Sequence, residues 1–433
     1  MNDRLDEADS GQMANSGIGE RKPSKDLFIV DSSFELLNAI EASHRASSSE
    51  NYLLVLNEAG QASCAYRKII DNQHWKKVLY EWIVIDSDAF QALASFPRLS
   101  RFLRSWYGRY LNLMRMRRVA RLARSFGKVD NLYLGHYWAE HKAFMRHFAN
   151  SIEHKNLILL DDGTDIIDIS NRRKAFHDAR RNAGGTGVSP LNSLVRGQLD
   201  ALRRKYWTWD ATEAPSVTFF TTFALDTCGG DHLIRNEYSY LRSLAARYVQ
   251  SDAIYFLGQC LVDDGYMELE TYLEYLSRVR GYFAGQNILY VPHPRESTQI
   301  VDEVHRAFGF EIKRFDVPIE YQLVTSGQLP KMIASFFCSA LESCSNIFAG
   351  RMEIACFHIR PEHLMINQDA VERIYLYFEQ KVGNYFKFIE HSKMAGFDEQ
   401  LRAGRVHTRA APQGGISTDG RDGAGITSGP SEC

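Results

Sequence analysis

Short apolar runs, almost free of charge, punctuate this chain. Between them lie longer stretches in which apolar residues recur every three or four positions. "DLFIVD" (26–31) precedes Phe34, Leu36, Leu37 and Ile40 at helical spacing. "NYLLVLN" (51–57), "EWIVID" (81–86), "NLYLG" (131–135) and "NLILL" (156–160) follow, with the helical "HYWAEHKAFMRHF" (136–148) between the last two. The second half alternates in the same way, through "AIYFLG" (253–258), the helical 267–283, "NILYV" (287–291), the helical 299–309, "FEIKRF" (310–315) and "KMIASFF" (331–337). A strand that is apolar along its whole length needs cover on both faces. Alternation with helices therefore predicts parallel sheets wrapped on both sides. The pattern implies an α/β protein of two Rossmann-like domains, 26–210 and 211–395, facing a central cleft. Residues 1–25 and 396–433 are polar, small and Gly/Ser-rich, and are expected to be disordered tails.

Composition narrows the partners. The 433 residues carry a formal net charge of -2, so no nucleic-acid partner is expected. No run of eighteen apolar residues exists, and the N-terminus lacks the apolar segment of a signal peptide. Seven scattered cysteines fit a reduced, cytoplasmic setting better than a disulfide framework. Cys356, His358 and His363 lie close in sequence, but no second ligand cluster accompanies them, so no metal site is expected there. "NAGGTGVSPLNS" (182–193) is Gly-rich but lacks the Lys-Ser/Thr of a phosphate-binding loop.

In open parallel sheets, ligands bind beyond the carboxyl ends of the strands. "NLILLDDGTDIID" (156–168) puts two carboxylates at such an end. Adjacent side chains on extended backbone point oppositely, so of Asp161 and Asp162 one should face the cleft and the other anchor the loop. Gly163 permits a tight turn and close approach of a ligand. "NILYVPHPRES" (287–297) clamps His293 between Pro292 and Pro294 at another strand end, extended and stiff. That placement suits an acid/base partner, and Arg295 could meet a carboxylate or phosphate. In "KMIASFFCSALES" (331–343), Ser339 and Glu342 match a capping box, and a helix starting there would offer N–H groups to an anion.

These stretches resemble a known family. "LDDGTD" (160–165) is similar to the Asp/Glu-Asp/Glu-Gly motif of bacterial sialyltransferases, and "VPHPRES" (291–297) to their His-Pro motif. "YFLGQCLVDDG" (255–265) resembles the strand and loop opening their second domain. "FDVPIE" (315–320) and "SFFCSAL" (335–341) resemble their later nucleotide-binding segments. Order and spacing fit glycosyltransferase family 52, the lipooligosaccharide sialyltransferase group with polysialyltransferase relatives, over residues 26 to 390. The resemblance implies a GT-B fold and inverting transfer of sialic acid from CMP-sialic acid, held mainly by the second domain, to a surface-glycan acceptor. It implies no metal and no cofactor beyond the donor. A carboxylate must take the acceptor hydroxyl's proton, which suits Asp162 with Asp161, or Asp263 in the loop after Gly258. A proton-donating or cationic group must help the departing phosphate, which suits His293. By the resemblance, Gly258, Gly163, Pro294 and Arg295 belong to the substrate site, Glu320 would meet the CMP ribose or base, and Ser339 its phosphate.

Two features stand apart. Asp86-Ser87-Asp88 matches the metal–nucleotide signature of a different glycosyltransferase fold, but a polar loop with a helix cap explains it better. Arg101 to Phe126 holds eight arginines and no acid, interleaved with Trp106, Tyr110, Leu113, Met114 and Leu122. Such a helix could lie on an anionic membrane surface, or present an arginine face that pairs with acids of the fold. The rival functions are a transferase using another activated sugar, including a different CMP-linked nonulosonic or ulosonic acid, and a non-enzymatic glycan-binding protein of the same fold.

Overall fold

The computed structural model describes residues 24–45, 50–56, 62–71, 74–81, 113–114, 116–137, 144–182, 210–245 and 248–397. Most of the expected tails, the Asp86–Asp88 motif, residues 183–193 of the Gly-rich loop and Arg101 to Arg109 lie outside them.

The first sheet is built from β1 (Lys25–Val30), β2 (Glu50–Leu56), β3 (Lys77–Glu81), β4 (Val129–Leu134), β5 (His154–Leu160), β6 (Thr218–Thr221) and β7 (His232–Arg235). Its order is β3-β2-β1-β4-β5-β6-β7, and every neighbouring pair is parallel. Alternation sorts the apolar runs into two cores. Leu27, Ile29, Leu54, Leu132, Leu134, Leu157, Leu159 and Phe219 face one side. Phe28, Val30, Leu53, Val55, Tyr133, Ile158, Leu160 and Phe220 face the other. Each fully buried side chain of this size is worth about 1.5–3 kcal/mol relative to exposure. A one-residue slip would exchange the two sets, so both faces fix the register.

The second sheet contains β9 (Ile254–Leu257), β10 (Ile288–Val291), β11 (Glu311–Ile312), β13 (Met332–Ser335), β14 (Glu353–Phe357) and β15 (Phe386–Ile389), in the order β11-β10-β9-β13-β14-β15 and again parallel. A small ladder pairs β8 (Val249–Gln250) with β12 (Gln328–Leu329). Two parallel sheets, each with its own core, give the two Rossmann-like halves that the apolar pattern predicts.

Two expectations shift. The boundary at 210/211 is too early, because β6 and β7 pair onto the first sheet and carry that domain to Arg235. The edge strand of the first sheet is "KVLYE" (77–81), just ahead of "EWIVID", whose residues 82–86 lie outside the described set.

The link between the sheets is fastened to the first domain. Asn236 Nδ2 and the Tyr238 hydroxyl both donate to Asn38 Oδ1, each at 3.0 Å. Glu41 accepts the backbone N–H groups of Tyr240 and Leu241 at 3.1 and 2.6 Å. Late in the chain, helix Gln368–Glu379 reaches back. Arg373 pairs with Asp168 at 2.5 Å, and the Tyr377 hydroxyl accepts the Ala224 N–H at 3.3 Å. Asp168 belongs to helix Asp165–Asn182, which Arg173 ties to the start of β7. Arg173 is buried and donates to both oxygens of Asp231, at 2.6 and 2.9 Å.

Among the described residues no helix is long and apolar enough to cross a membrane. The described end of the arginine-rich stretch is helical over 116–125, with Met116, Val119 and Ala123 packed in the first domain's core. Its apolar face is thus occupied. Arg118 faces outward and pairs with Glu81 at 2.6 Å.

Candidate active site

The two acids at the end of β5 separate as alternation requires. Asp161 turns inward and is fully buried. Its Oδ2 accepts the Thr222 N–H at 2.9 Å, and its carbonyl accepts Asn38 Nδ2 at 3.1 Å. Burial pushes its carboxyl up to about 7. Asp162 turns toward the cleft, where it, Gly163, Thr164 and Asp165 form the first domain's wall. Gly163 has φ +74°, and a Cβ placed there would sit 3.4 Å from Ser339 Oγ of the second domain. The glycine thus serves both the left-handed turn and the close approach of the two domains.

Behind Asp162 stands a residue that belongs to none of the motifs. His136 Nε2 lies 2.6 Å from Asp162 Oδ2, while Nδ1 lies 2.8 Å from Asp31 Oδ1 and in contact with Glu35 Oε1. Asp31 follows β1 and His136 follows β4 by two positions. Those strands are neighbours at the point where the strand order reverses, the usual ligand crevice of such sheets. The strand-end rule that picks out Asp162 would have found both. Burial opposes charge on His136, but Glu35, Asp162 and Asp31 outweigh it and hold the imidazole well above its usual range. Burial pushes Glu35 up to about 7 against the pull of His136. Burial, with Asp162 beside it, pushes Asp165 up to about 6.

Among the described residues, Asp31, Glu35 and His136 are also the set that could be considered for a cation, with ligand atoms within 4.8 Å of one another. Nδ1 lies in ion-pair range of both carboxylates but meets hydrogen-bond geometry with neither. With His136 protonated the three form an ion-pair cluster; with the ring neutral they turn one nitrogen and two carboxylates toward one point.

In the second domain, His293 follows β10 as expected. The Arg295 N–H donates to its Nδ1 at 3.2 Å, and Cys260 Sγ lies 3.0 Å from the same nitrogen. A backbone N–H can only donate, so Nδ1 is the acceptor and the neutral ring carries its proton on Nε2. Burial, with Arg295 nearby, lowers His293 to about 4. At neutral pH it is therefore an uncharged donor rather than a cation. Glu296 fixes the turn by accepting the His293 N–H at 3.1 Å and the Tyr290 hydroxyl at 2.5 Å. Arg295 lines the cleft and pairs with Asp264 at 3.2 Å.

Other expected residues take different places. Asp263 does not line the cleft. Its Oδ2 accepts the Ser297 N–H at 2.9 Å, at the start of helix Thr298–Phe308. Gly258 is needed for packing, because a Cβ there would meet the Tyr290 hydroxyl at 2.4 Å and Glu296 Oε2 at 2.5 Å. Pro294 is exposed and outside the cleft wall. Glu320 is 3 % exposed and accepts the Ser343 hydroxyl at 2.5 Å, so it faces the interior. Ser339 does precede helix Ala340–Phe348, but its hydroxyl makes no cap bond. Glu342, instead of closing the capping box, is buried and bonded by Asn346, Tyr377 and Lys381. Ser339 Oγ is left at the cleft wall, opposite Gly163.

The space between these walls measures about 180 Å³ and is lined by Asp162, Gly163 and Asp165 from one side and by His293, Arg295 and Ser339 from the other. Two larger depressions, of about 640 and 460 Å³, lie beside the amino ends of strands, at Ile288 and Glu311 and at Lys331 and Glu353. Strand polarity favours the smaller one, where acid, imidazole and hydroxyl converge.

No family model matches this sequence, and no curated protein does. Among solved structures, one similar chain is the α/β-galactoside α-2,3-sialyltransferase of the luminous marine bacterium Photobacterium phosphoreum. It is 10% identical, with 85% of this chain and 99% of that chain covered and a TM-score of 0.41. The GT-B domain of the sialyltransferase from Photobacterium damselae is 10% identical, covering 84% and 99%, with a TM-score of 0.38. The spinosyn rhamnosyltransferase SpnG, complexed with spinosyn aglycone, is 11% identical, covering 89% and 92%, with a TM-score of 0.41. Likenesses of this size add nothing to what the chain's own strand order and register establish: two parallel Rossmann-like sheets across one cleft.

Proposed function

We propose that this protein is a GT-B glycosyltransferase that moves sialic acid from CMP-sialic acid to a surface-glycan acceptor, with inversion. One observation carries the reading. Asp162 from the first domain and His293 with Ser339 from the second line the same cleft. In this scheme the acceptor hydroxyl gives its proton to Asp162 as its oxygen bonds to the anomeric carbon. The bond from that carbon to the CMP phosphate breaks on the other side, where His293 Nε2–H and the Ser339 hydroxyl meet the developing charge. Attack and departure from opposite walls give inversion. Asp161 anchors the loop and Arg295 adds a positive charge near the phosphate.

A site of about 180 Å³ is smaller than the roughly 300–1,000 Å³ usual for small-molecule pockets. It holds the reacting centre, and the nucleotide extends beyond it along the second domain. We take the reaction to need no metal, because one phosphate with a neutral donor and an arginine beside it does not require a cation clamp. We place the enzyme in the cytoplasm, in keeping with free thiols at Cys228, Cys260, Cys338, Cys344 and Cys356.

The deciding experiment is a donor screen that measures nucleotide release with and without glycan acceptors. CMP release from CMP-sialic acid that rises with an acceptor supports the proposal. Release from a different activated sugar reassigns the donor. Binding of glycans with no release from any donor makes it a binding protein.

A further inference from the structure

We propose that His136 is the positioning residue for Asp162: an imidazolium, held through Nδ1 by Asp31 and Glu35, grips Asp162 Oδ2 through Nε2 and sets the other carboxylate oxygen toward the acceptor. This deepens the transferase reading and rests on it. His136 itself does not line the cleft, so it acts only through Asp162.

Three independent features of the chain converge on this arrangement. The first is contact on both ring nitrogens. Nε2 is 2.6 Å from Asp162, and Nδ1 touches two further carboxylates, one at 2.8 Å. Nδ1 meets hydrogen-bond geometry with neither acid, so these contacts are electrostatic, and a ring with a proton on each nitrogen is the state that all the facing carboxylates attract.

The second is backbone geometry. His136 is one of few described residues other than glycine with positive φ, at 47°. A bulky residue there costs on the order of 1–3 kcal/mol and persists where its surroundings hold it.

The third is the glycine before it. A Cβ at Gly135 would lie 2.0 Å from the Glu35 carboxyl carbon. Only a glycine lets the Glu35 side chain pass and reach the imidazole. The Asp31 N–H in turn donates to Glu35 Oε2 at 2.8 Å, which fixes the second acid of the pair. Strain at one residue and the lack of a side chain at its neighbour both serve one contact.

The charges facing the ring are those of Asp31, Glu35 and Asp162, with Asp165 beyond Asp162. A single cation among these acids compensates part of their repulsion. Removing a neighbouring cation makes a carboxylate harder to ionise. His136→Gln keeps a donor of similar reach but no charge. It should therefore lower kcat about 10- to 100-fold at pH 7 and leave the donor KM within about threefold. The acidic limb of the kcat profile should move up by about one pH unit or more, with activity partly recovered above pH 8. A purely structural role would lower activity at all pH values without moving the limb. Asp31→Asn, which leaves the His136–Asp162 contact in place, should move the limb in the opposite direction or leave it where it is.

A second measurement does not depend on turnover. In the full chain labelled with ¹⁵N-histidine, one imidazole should keep both nitrogens protonated from pH 6 to pH 8, and its signal should vanish in His136→Gln. A neutral His136 ring at pH 7 overturns the inference. So does a His136→Gln profile that superimposes on the wild type after normalisation. If His136→Gln does not fold, the wild-type signal and its response in Asp31→Asn decide. The Asp162→Asn enzyme is run in the same assay: full activity there removes the base assignment, whereas an inactive Asp162→Asn beside an unshifted His136→Gln removes only the role of His136.

Discussion

Replacing Asp161 with Asn isolates the cost of an acid that has no exposure to water. Its side chain is 0 % exposed. Burial pushes its carboxyl from the ordinary 3.8 to about 7, against hydrogen bonds from the Thr221 hydroxyl and the Thr222 N–H, with Glu342 and Asp162 adding to the rise. A carboxyl raised in this way keeps its proton in the folded chain to higher pH than in the unfolded chain. Between about pH 4 and pH 7 the native state binds more protons, so stability falls as pH rises through that window. Above it the full penalty is present. At 1.36 kcal/mol per pH unit, a gap of about three units sets a ceiling of about 4 kcal/mol. Polarisation of the surroundings brings the expected penalty to about 1–4 kcal/mol. Asn keeps the size, accepts the same N–H and never ionises. Urea unfolding followed by tryptophan fluorescence should therefore give matching midpoints near pH 4. At pH 8 Asp161→Asn should be the more stable protein by about 1–4 kcal/mol. Two curves that stay parallel across pH, or a variant weaker at pH 8, would refute the assignment of Asp161 as a buried, protonation-linked anchor.

Asp162→Asn should cut turnover by about 100- to 10,000-fold, the range of general acid–base groups, with CMP affinity measured by calorimetry within about twofold of wild type. Asp263→Asn should keep turnover and lose about 1 kcal/mol of stability or less, because an amide oxygen still accepts the N–H of the N-cap residue Ser297 but without the carboxylate's charge. An inactive Asp263→Asn beside an active Asp162→Asn would exchange their roles. His293→Ala should lower turnover comparably and weaken CMP binding. In the wild type the titration of His293, lowered to about 4, should leave no kinetic limb between pH 6 and 7, and a limb there that His293→Ala abolishes would count against the neutral donor. Activity should survive excess EDTA; loss with recovery on adding Mn²⁺ would overturn the metal-free scheme.

What can be read from the sequence follows the physics of each element. β1, β2, β5, β9 and β10 are buried on both faces, so their composition alone marks them. β6 and β7 are four residues each, and β7 is a half-exposed edge with His232 and Arg235 at its ends. Nothing in such a run distinguishes it from a loop, and the expected domain boundary falls too early for that reason. Asp162 and His293 are legible because strand ends project into the cleft. Asp31 and His136 occupy equivalent ends and obey the same rule, but no proline clamp or paired acids mark them. Glu35 is not legible at all. Its reach to His136 depends on the missing side chain of Gly135, a hundred residues away in sequence. Ser339 shows the converse: the spacing to Glu342 fits a capping box, yet Glu342 finds stronger partners in Lys381 and Tyr377. Glu320 keeps its place in the motif but turns to Ser343.

The late helix Gln368–Glu379 is one of several places where the two halves are fixed to each other. The halves meet at the link fastened at Asn38 and Glu41, where Arg373 grips Asp168 and Tyr377 meets Ala224, where Asn346 Nδ2 donates to the Thr222 hydroxyl at 2.6 Å, and where Lys68 pairs with Asp316 at 2.7 Å. Attachments spread along a seam resist rotation about any single line, because every swing must part some of them. The width of the cleft is therefore a property of the whole seam, and a change at Arg373 or Asn346, outside the cleft wall, would be felt between Asp162 and His293.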